Sequence, residues 1–390
     1  MSPCAAVPPT VAHLVFPYLF RTGSWVYGQL VHARRFRPIV LTTKTENLDT
    51  FPFSPVFSYE RVTTVRKALL SLSRGRLRHA MLPYLESVLR SQRARILHSH
   101  FGDLGAEMLD LKRTVDLPMV TAFYGADVSQ VPRDPGWRAR YQNLFDEGNL
   151  FLAEGSALRS ALVALGCPHA KIVIQRLGVD LENLPFIIRR PDESGTVRVL
   201  IAATFREKKG IPDALRAVER VRDRGHRLSV TLIGDAAGKP GDEEEKAEIL
   251  KLVKPLREVV NWRGFLPYAS FREALLRHHV FLSPSLTARD GDSEGGAPVG
   301  LIEAEATGMP IVSTLHADIP EVVVDGKSAL LSPERDVEAL AANLERVVGE
   351  PEQWEAMGRA GRAHVEANHD VRVQVARLEH IYAQVIARAS

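Results

Sequence analysis

With 390 residues, of which 45% are hydrophobic and 25% charged, the chain is longer than one core usually spans. Two globular domains of comparable size are expected, and a disordered or fibrous protein is excluded. The net charge of +3 is too small to argue for a nucleic-acid partner, and none is expected. Cys4 and Cys167 lie far apart without C-x-x-C or metal-ligand spacing, which points to a reducing compartment, the cytoplasm, and to no disulfide framework.

Residues 1–10 carry no positive segment, and the apolar run 11–20 is interrupted by His13, Pro17 and Tyr18. It reads as a first strand and not as a signal peptide. No apolar run approaches the roughly 18 residues of a membrane span. Short β-branched runs then alternate with amphipathic helical stretches, the pattern of βαβ units around parallel sheets. Strands are expected at 11–16, 38–41, 96–98, 119–123 and 150–153, and again at 197–203, 228–233, 280–283 and 310–313.

Between the two sets, residues 187–196 (IIRRPDESGT) show neither hydrophobic period, so the interdomain linker is expected there. The fold class is therefore α/β, with two Rossmann-like domains at 1–186 and 197–369, each around a parallel sheet. Three-four spacing predicts helices from about Lys209 (Ile211, Leu215, Val218, Val221) and from about Asp370 (Val371, Val375, Leu378, Tyr382, Val385).

In the first half, Arg21-Thr22-Gly23-Ser24 follows the first strand and opens a helix, a possible close-approach loop in which Gly23 and Ser24 are donor-binding candidates. Arg61, Arg66, Lys67, Arg74, Arg76, Arg78, Arg90, Arg93 and Arg95 face Glu86 as the only acid. Such a basic amphipathic stretch, 61–95, can lie on anionic lipid as well as being the solvated face of ordinary helices. His98 and His100 could suggest a metal, but without a third ligand nearby in sequence a structural role at a strand end is expected, with no metal and no cofactor.

The densest chemistry lies at 290–310, DGDSEGGAPVGLIEAEATGMP. A glycine-rich acidic loop running into a helix from about Val299 offers free backbone N–H groups and a positive helix end, which suit a diphosphate. Gly295, Gly296, Ala297, Pro298 and Val299 are the loop candidates. Glu303, farther along that helix, can accept hydrogen bonds from two adjacent sugar hydroxyls. A second cluster, ATFREKKG at 203–210, follows a strand and places Thr204, Arg206, Lys208 and Lys209 at the carboxyl edge of the same sheet, where ligands bind in open α/β folds. Cations there can stabilise a departing nucleoside diphosphate.

The stretch 234–239 (GDAAGK) imitates a phosphate loop, but its glycine spacing is one residue short and Pro240 stands where a Ser or Thr would reach magnesium. A dinucleotide-binding dehydrogenase is excluded by the lack of G-x-G-x-x-G followed by an acid about 20 residues on.

The stretch EGGAPVGLIEAEATGMPIVST (294–314) with DIPEVVVDGKSALLSP (from 318), together with FREKKGI (205–211), ALGCPHAKIVIQRLGVDL (164–181) and HSHFG (98–102), resembles the retaining glycosyltransferases of family 4. The resemblance runs over most of the chain and implies the GT-B fold, with the two parallel sheets facing across a cleft. It further implies a final helix, 370–390, crossing back to the first domain. It places Glu294 near the donor sugar, Glu303 on the ribose, and Arg206 and Lys209 on the diphosphate. Glu294 and Glu303 are separated by eight residues where the family has seven. Tyr124 stands where many relatives carry the histidine of a His-Gly-x-Asp motif, leaving Asp127 to orient the acceptor or the sugar.

A phenol with an ordinary pKa of about 10 is a poor base at neutral pH, in keeping with a retaining front-face reaction that needs no protein base. The implied function is transfer of a hexose from a UDP-, GDP- or ADP-sugar to a saccharide or lipid-linked acceptor, on the cytoplasmic side with peripheral contact to the membrane. A nucleotide-sugar epimerase, or a catalytically weak nucleotide-sugar-binding protein of the same fold, is the alternative.

Overall fold

A computed structural model describes residues 7–63, 81–239, 241–296 and 298–389. The chain divides into two compact units, one made of Met1–Gly178 with Val371–Ser390 and the other of Val179–Asp370. Among the described residues no helix is long and apolar enough to cross a membrane.

The first unit holds strands β1 (Thr10–Leu14), β2 (Arg37–Thr42), β3 (Val56–Ser58), β4 (Ala94–His100), β5 (Met119–Ala122), β6 (Leu150–Ala153) and β7 (Ile172–Ile174). They form one sheet in the order β3-β2-β1-β4-β5-β6-β7, every pair parallel. Both faces are covered, so β1, β5 and β6 are buried along their whole length, as expected when helices pack on both sides of a parallel sheet.

The last helix, Val371–Ala389, belongs to this unit. It buries Val371, Val375, Leu378, Tyr382 and Val385, the stripe that the three-four spacing marks. Its Glu379 carboxylate accepts the backbone N–H groups of Arg34, Arg35 and Phe36 at 2.9, 2.7 and 2.9 Å.

The second unit holds β8 (Val197–Ala202), β9 (Leu228–Ile233), β10 (Val260–Trp262), β11 (Val280–Ser283), β12 (Ile311–Thr314) and β13 (Ala329–Ser332). Their order is β10-β9-β8-β11-β12-β13, again all parallel. In both sheets the first strand of the unit lies beside the fourth, the point where strand order reverses and where ligands enter such folds at the carboxyl ends.

The chain passes from one unit to the other at Gly178/Val179, and not at 187–196 as its polarity suggests. That segment is fastened to the second unit. Ile187 N–H donates to Thr307 O at 3.0 Å. The buried Arg189 donates to the carbonyls of Thr307, Leu275 and His278 at 2.6, 2.7 and 2.8 Å. Burial lowers the Arg189 guanidinium from its ordinary value to about 9. An arginine that satisfies several carbonyls at once makes a polar stretch part of a core.

Candidate active site

In the second unit, β8 leads into 203–210 and β11 leads into 284–298, so the two motif loops start from neighbouring strands. Gly210 joins the first loop to helix Ile211–Asp223. Its φ is +62°, and a Cβ there would stand 1.9 Å from Pro284 O, so only glycine lets the loops come this close.

Lys209 and Glu294 meet in this space, with Lys209 Nζ 2.7 Å from one carboxylate oxygen and 2.8 Å from the other. Ser285 Oγ donates to Glu294 Oε1 at 2.8 Å. The buried Lys208 lies 3.2 Å from Asp292 and 4.0 Å from Glu294, and donates to Ser293 O at 2.8 Å. Burial alone would raise the Glu294 carboxyl, but Lys209 and then Lys208 outweigh it and hold it at about 2. Burial lowers Lys208 from its ordinary value, with Glu294 opposing.

Arg206, expected on the diphosphate, lies 2.7 Å from Asp292 and 3.8 Å from Asp242. Three cations thus face three acids, a compensated network of the kind that keeps buried charge tolerable. Thr204 lies in the same loop, its carbonyl accepting from Arg206 N at 2.9 Å. Gly295 takes up a left-handed φ of +72°, which lets the loop turn while Glu294 stays at Lys209 despite the longer spacing to Glu303. Gly296 is buried, Pro298 precedes helix Val299–Ala306, and Ala297 lies outside the described residues.

Glu303, on that helix and 3% exposed, accepts from the Tyr268 hydroxyl at 2.6 Å. A cavity of about 680 Å³ beside Arg206 and Lys208 is lined by acids and cations together, and Lys209, Glu294 and Glu303 do not border it. The mimic at 234–239 has a packing origin: a Cβ at Gly234, with φ +141°, would stand 1.8 Å from Ala203 O.

Sequence reading missed His316 and Glu334. Glu294 N–H donates to His316 Nε2 at 3.1 Å, and His316 Nδ1 is 2.7 Å from Glu334 Oε1. The first bond makes Nε2 the acceptor, so Nδ1 carries the proton and donates to Glu334. His316 follows β12 and Glu334 follows β13, and the β11–β12 and β12–β13 pairings bring them to the Glu294 loop.

In the first unit, Gly23 precedes helix Ser24–Val31, and its neighbour Trp25 packs on Tyr124 with ring centroids 5.6 Å apart. Phe101 covers the same ring at 4.8 Å. Tyr124 is 7% exposed, and its hydroxyl is 2.7 Å from His100 Nδ1. Burial first, then Glu154, pushes the phenol well above its ordinary value.

Asp127 is buried, and both its oxygens are engaged by backbone. Gly102, Tyr124 and Gly125 N–H groups donate to it at 3.0, 3.1 and 2.8 Å. Burial raises its carboxyl to about 6 against those bonds. These bonds are those of a residue fixing the 124–127 turn.

The pair His98 and His100 becomes a trio, because β1 delivers His13 opposite His98. His13 Nδ1 is 3.0 Å from His100 Nε2, and His98 Nδ1 is 2.6 Å from the Tyr382 hydroxyl. Burial lowers His13 to about 3, and burial with the neighbouring imidazoles holds His98 and His100 well below the usual range. Of the basic stretch, Arg66, Lys67, Arg74, Arg76 and Arg78 lie outside the described residues. Helix Met81–Ser91 turns Leu82, Leu85, Val88 and Leu89 inward while Arg90 pairs with Glu86 at 3.1 Å.

Residues 187–364 match the family described as Glycosyl transferases group 1, and residues 28–183 match Glycosyltransferase Family 4. The chain is 33% identical over 286 residues to the putative colanic acid biosynthesis glycosyltransferase WcaL of Escherichia coli, covering 73% of this chain and 68% of that protein. It is 33% identical over 290 residues to the amylovoran biosynthesis glycosyltransferase AmsK of Erwinia amylovora, covering 74% and 70%.

In fold it is similar to a sucrose-phosphate synthase from Thermosynechococcus elongatus, with a TM-score of 0.76, 16% identity and coverage of 97% and 100%. It is also similar to HepE of Anabaena in complex with UDP-glucose, with a TM-score of 0.74, 14% identity and coverage of 96% and 99%. Two parallel sheets of the GT-B type and matches along nearly the whole chain agree: this protein belongs to glycosyltransferase family 4.

Proposed function

We propose that this protein is a retaining glycosyltransferase that moves a hexose from a nucleotide-diphosphate sugar to a saccharide or lipid-linked acceptor in polysaccharide biosynthesis. The observation that carries the reading is the meeting of Lys209 with Glu294 at the strand-order reversal of the second unit. There a cation, a carboxylate held ionised and a glycine-rich turn into a helix stand together. The relatives named for colanic acid and amylovoran biosynthesis support the pathway class, and HepE, solved with UDP-glucose, supports a nucleotide-sugar donor.

In this reading Lys209 and the backbone N–H groups leading into helix Val299–Ala306 receive the diphosphate. Glu294 takes sugar hydroxyls, and Glu303, kept in place by Tyr268, takes the ribose. The bond from the anomeric carbon to the diphosphate oxygen breaks, and the acceptor oxygen bonds to that carbon from the same face. The acceptor proton passes to the departing phosphate oxygen. Tyr124, its phenol pushed up by burial, is not a base for this proton.

Thermal-shift titration with UDP, GDP, ADP and their sugar conjugates, followed by donor hydrolysis with whichever stabilises, tests the reading. One nucleotide is expected to stabilise the wild type, and Glu303→Ala to abolish the shift. No shift with any of them, or a full shift in Glu303→Ala, would overturn the donor assignment.

A further inference from the structure

The three histidines joined by β1 and β4 take no part in the transfer just described. Alternate residues of a strand share a face, so His98 and His100 point the same way, and the β1–β4 register sets His13 directly opposite His98. His98 directs Nδ1 to the Tyr382 hydroxyl, and its Nε2 is buried without a hydrogen-bond partner. His100 likewise directs Nδ1 to the Tyr124 hydroxyl, and its Nε2 faces His13 Nδ1 at 3.0 Å. One ring nitrogen from each of the three lies within 4.8 Å of the others.

An imidazole with one nitrogen fixed by a hydroxyl and the other close to two more imidazoles has the arrangement of a metal ligand with its outer-shell partner, and His98 and His100 both have it. With His13 they offer three nitrogens, a set that leaves a fourth position open. All-imidazole donors select borderline transition ions over magnesium or calcium, which take oxygen.

We propose that His13, His98 and His100 bind one divalent transition-metal ion of the zinc class between β1 and β4. Bonds of about 2.0–2.1 Å in tetrahedral geometry put ligand nitrogens about 3.3 Å apart, so the trio closes from separations within 4.8 Å by shifts of up to about 1.5 Å. With the ion on His100 Nε2, the remaining ring proton sits on Nδ1 and donates to Tyr124 Oη. The phenol hydrogen is then free to point away from the histidine, so the ion sets the hydrogen-bonding sense of Tyr124.

The test is to unfold the full chain in denaturant with chelator and refold it with Zn²⁺ or Co²⁺, which removes burial as a barrier to loading. After desalting, metal content and the Co²⁺ ligand-field spectrum are measured. The wild type is expected to retain equimolar metal. His13→Gln and His98→Gln should retain at least tenfold less, and the control His380→Gln, on an exposed position, should match the wild type. A wild type that retains no metal, or folded variants that keep it, overturns the site. If the variants do not fold, zinc X-ray absorption of the wild type decides. Three imidazole ligands support the proposal, and a shell of oxygen or sulfur alone overturns it.

Discussion

Replacing Lys209 by Met removes the cation nearest Glu294 while keeping the length of the side chain. In the folded protein the Glu294 carboxyl sits at about 2 against an ordinary 4.5, which corresponds to about 3 kcal/mol in favour of the ionised form. Lys208, at 4.0 Å, and the Ser285 hydroxyl remain, so the single substitution should cost about 2 kcal/mol, somewhat below the usual loss for a broken buried pair.

The further change Glu294→Gln removes the stranded charge and should recover most of that loss, giving a coupling of about 2 kcal/mol in the double-mutant cycle. The pH dependence has a fixed sign. The group is depressed in the fold, so its stabilisation is complete above about pH 4.5 and is lost as pH falls towards 2, and wild type and Lys209→Met should converge there. Hydrogen exchange in peptides spanning β8 and β11 reads the effect locally, independently of the other unit. A neutral single variant, or a double variant no better than the single, would refute the ion-pair account. The nucleotide-induced thermal shift should be lost in both variants, which separates binding from stability.

Three other outcomes are expected. Glu305 is fully buried with neither oxygen hydrogen-bonded, since Ser328 is close enough to favour the ion slightly but bonds Val324 instead, and burial raises its carboxyl to about 8. A raised acid makes the fold lose stability as pH climbs from 4.5 to 8, by as much as about 5 kcal/mol. Glu305→Gln should flatten that slope, and parallel melting curves at pH 5 and pH 8 would count against it. Arg189→Met, which orphans the carbonyls of Leu275, His278 and Thr307, should cost about 3 kcal/mol or more; a melting temperature equal to wild type would mean that 187–190 is a free linker after all. Asp127→Asn should lower stability by about 1–2 kcal/mol through the loosened 124–127 turn, measured by hydrogen exchange at Gly125, where unchanged protection would contradict a turn-fixing role.

The long strands and the helix stripe at Val371–Ala389 were legible because periodicity accumulates over their length. β3, β7 and β10, three residues each, carry too little pattern to be found that way. The unit boundary was misplaced for a different reason. Polarity at 187–196 reads as solvent exposure, whereas Arg189 is 5% exposed because carbonyls from two other elements receive it. The Lys209–Glu294 pair was legible as two motifs, since each loop carries its own glycine signal. His316 and His13 were not, because each joins its cluster through strand pairing, and pairing leaves no mark in local sequence.

The two sheets share one strand order, and titratable side chains gather on β1 and β4 in the first and beyond β8, β9 and β11 in the second, yet the electrostatic outcomes are opposite. At β1 and β4 no acid among the described residues pairs with the histidines, so burial keeps the rings neutral and Tyr124 protonated. Beyond β8, β9 and β11, Asp292, Asp242 and Glu294 accompany Arg206, Lys208 and Lys209, so the carboxylate at Glu294 stays ionised although it is buried. Under the proposed function this division matches the two reactants, an uncharged hydroxyl and a dianionic diphosphate. It also makes the second unit the one that must rearrange, because a diphosphate arriving at Lys209 competes with Glu294 for the same ammonium. Release of Glu294 by the phosphate would free that carboxylate for sugar hydroxyls, so binding of the donor and exposure of its sugar-recognising group become a single event.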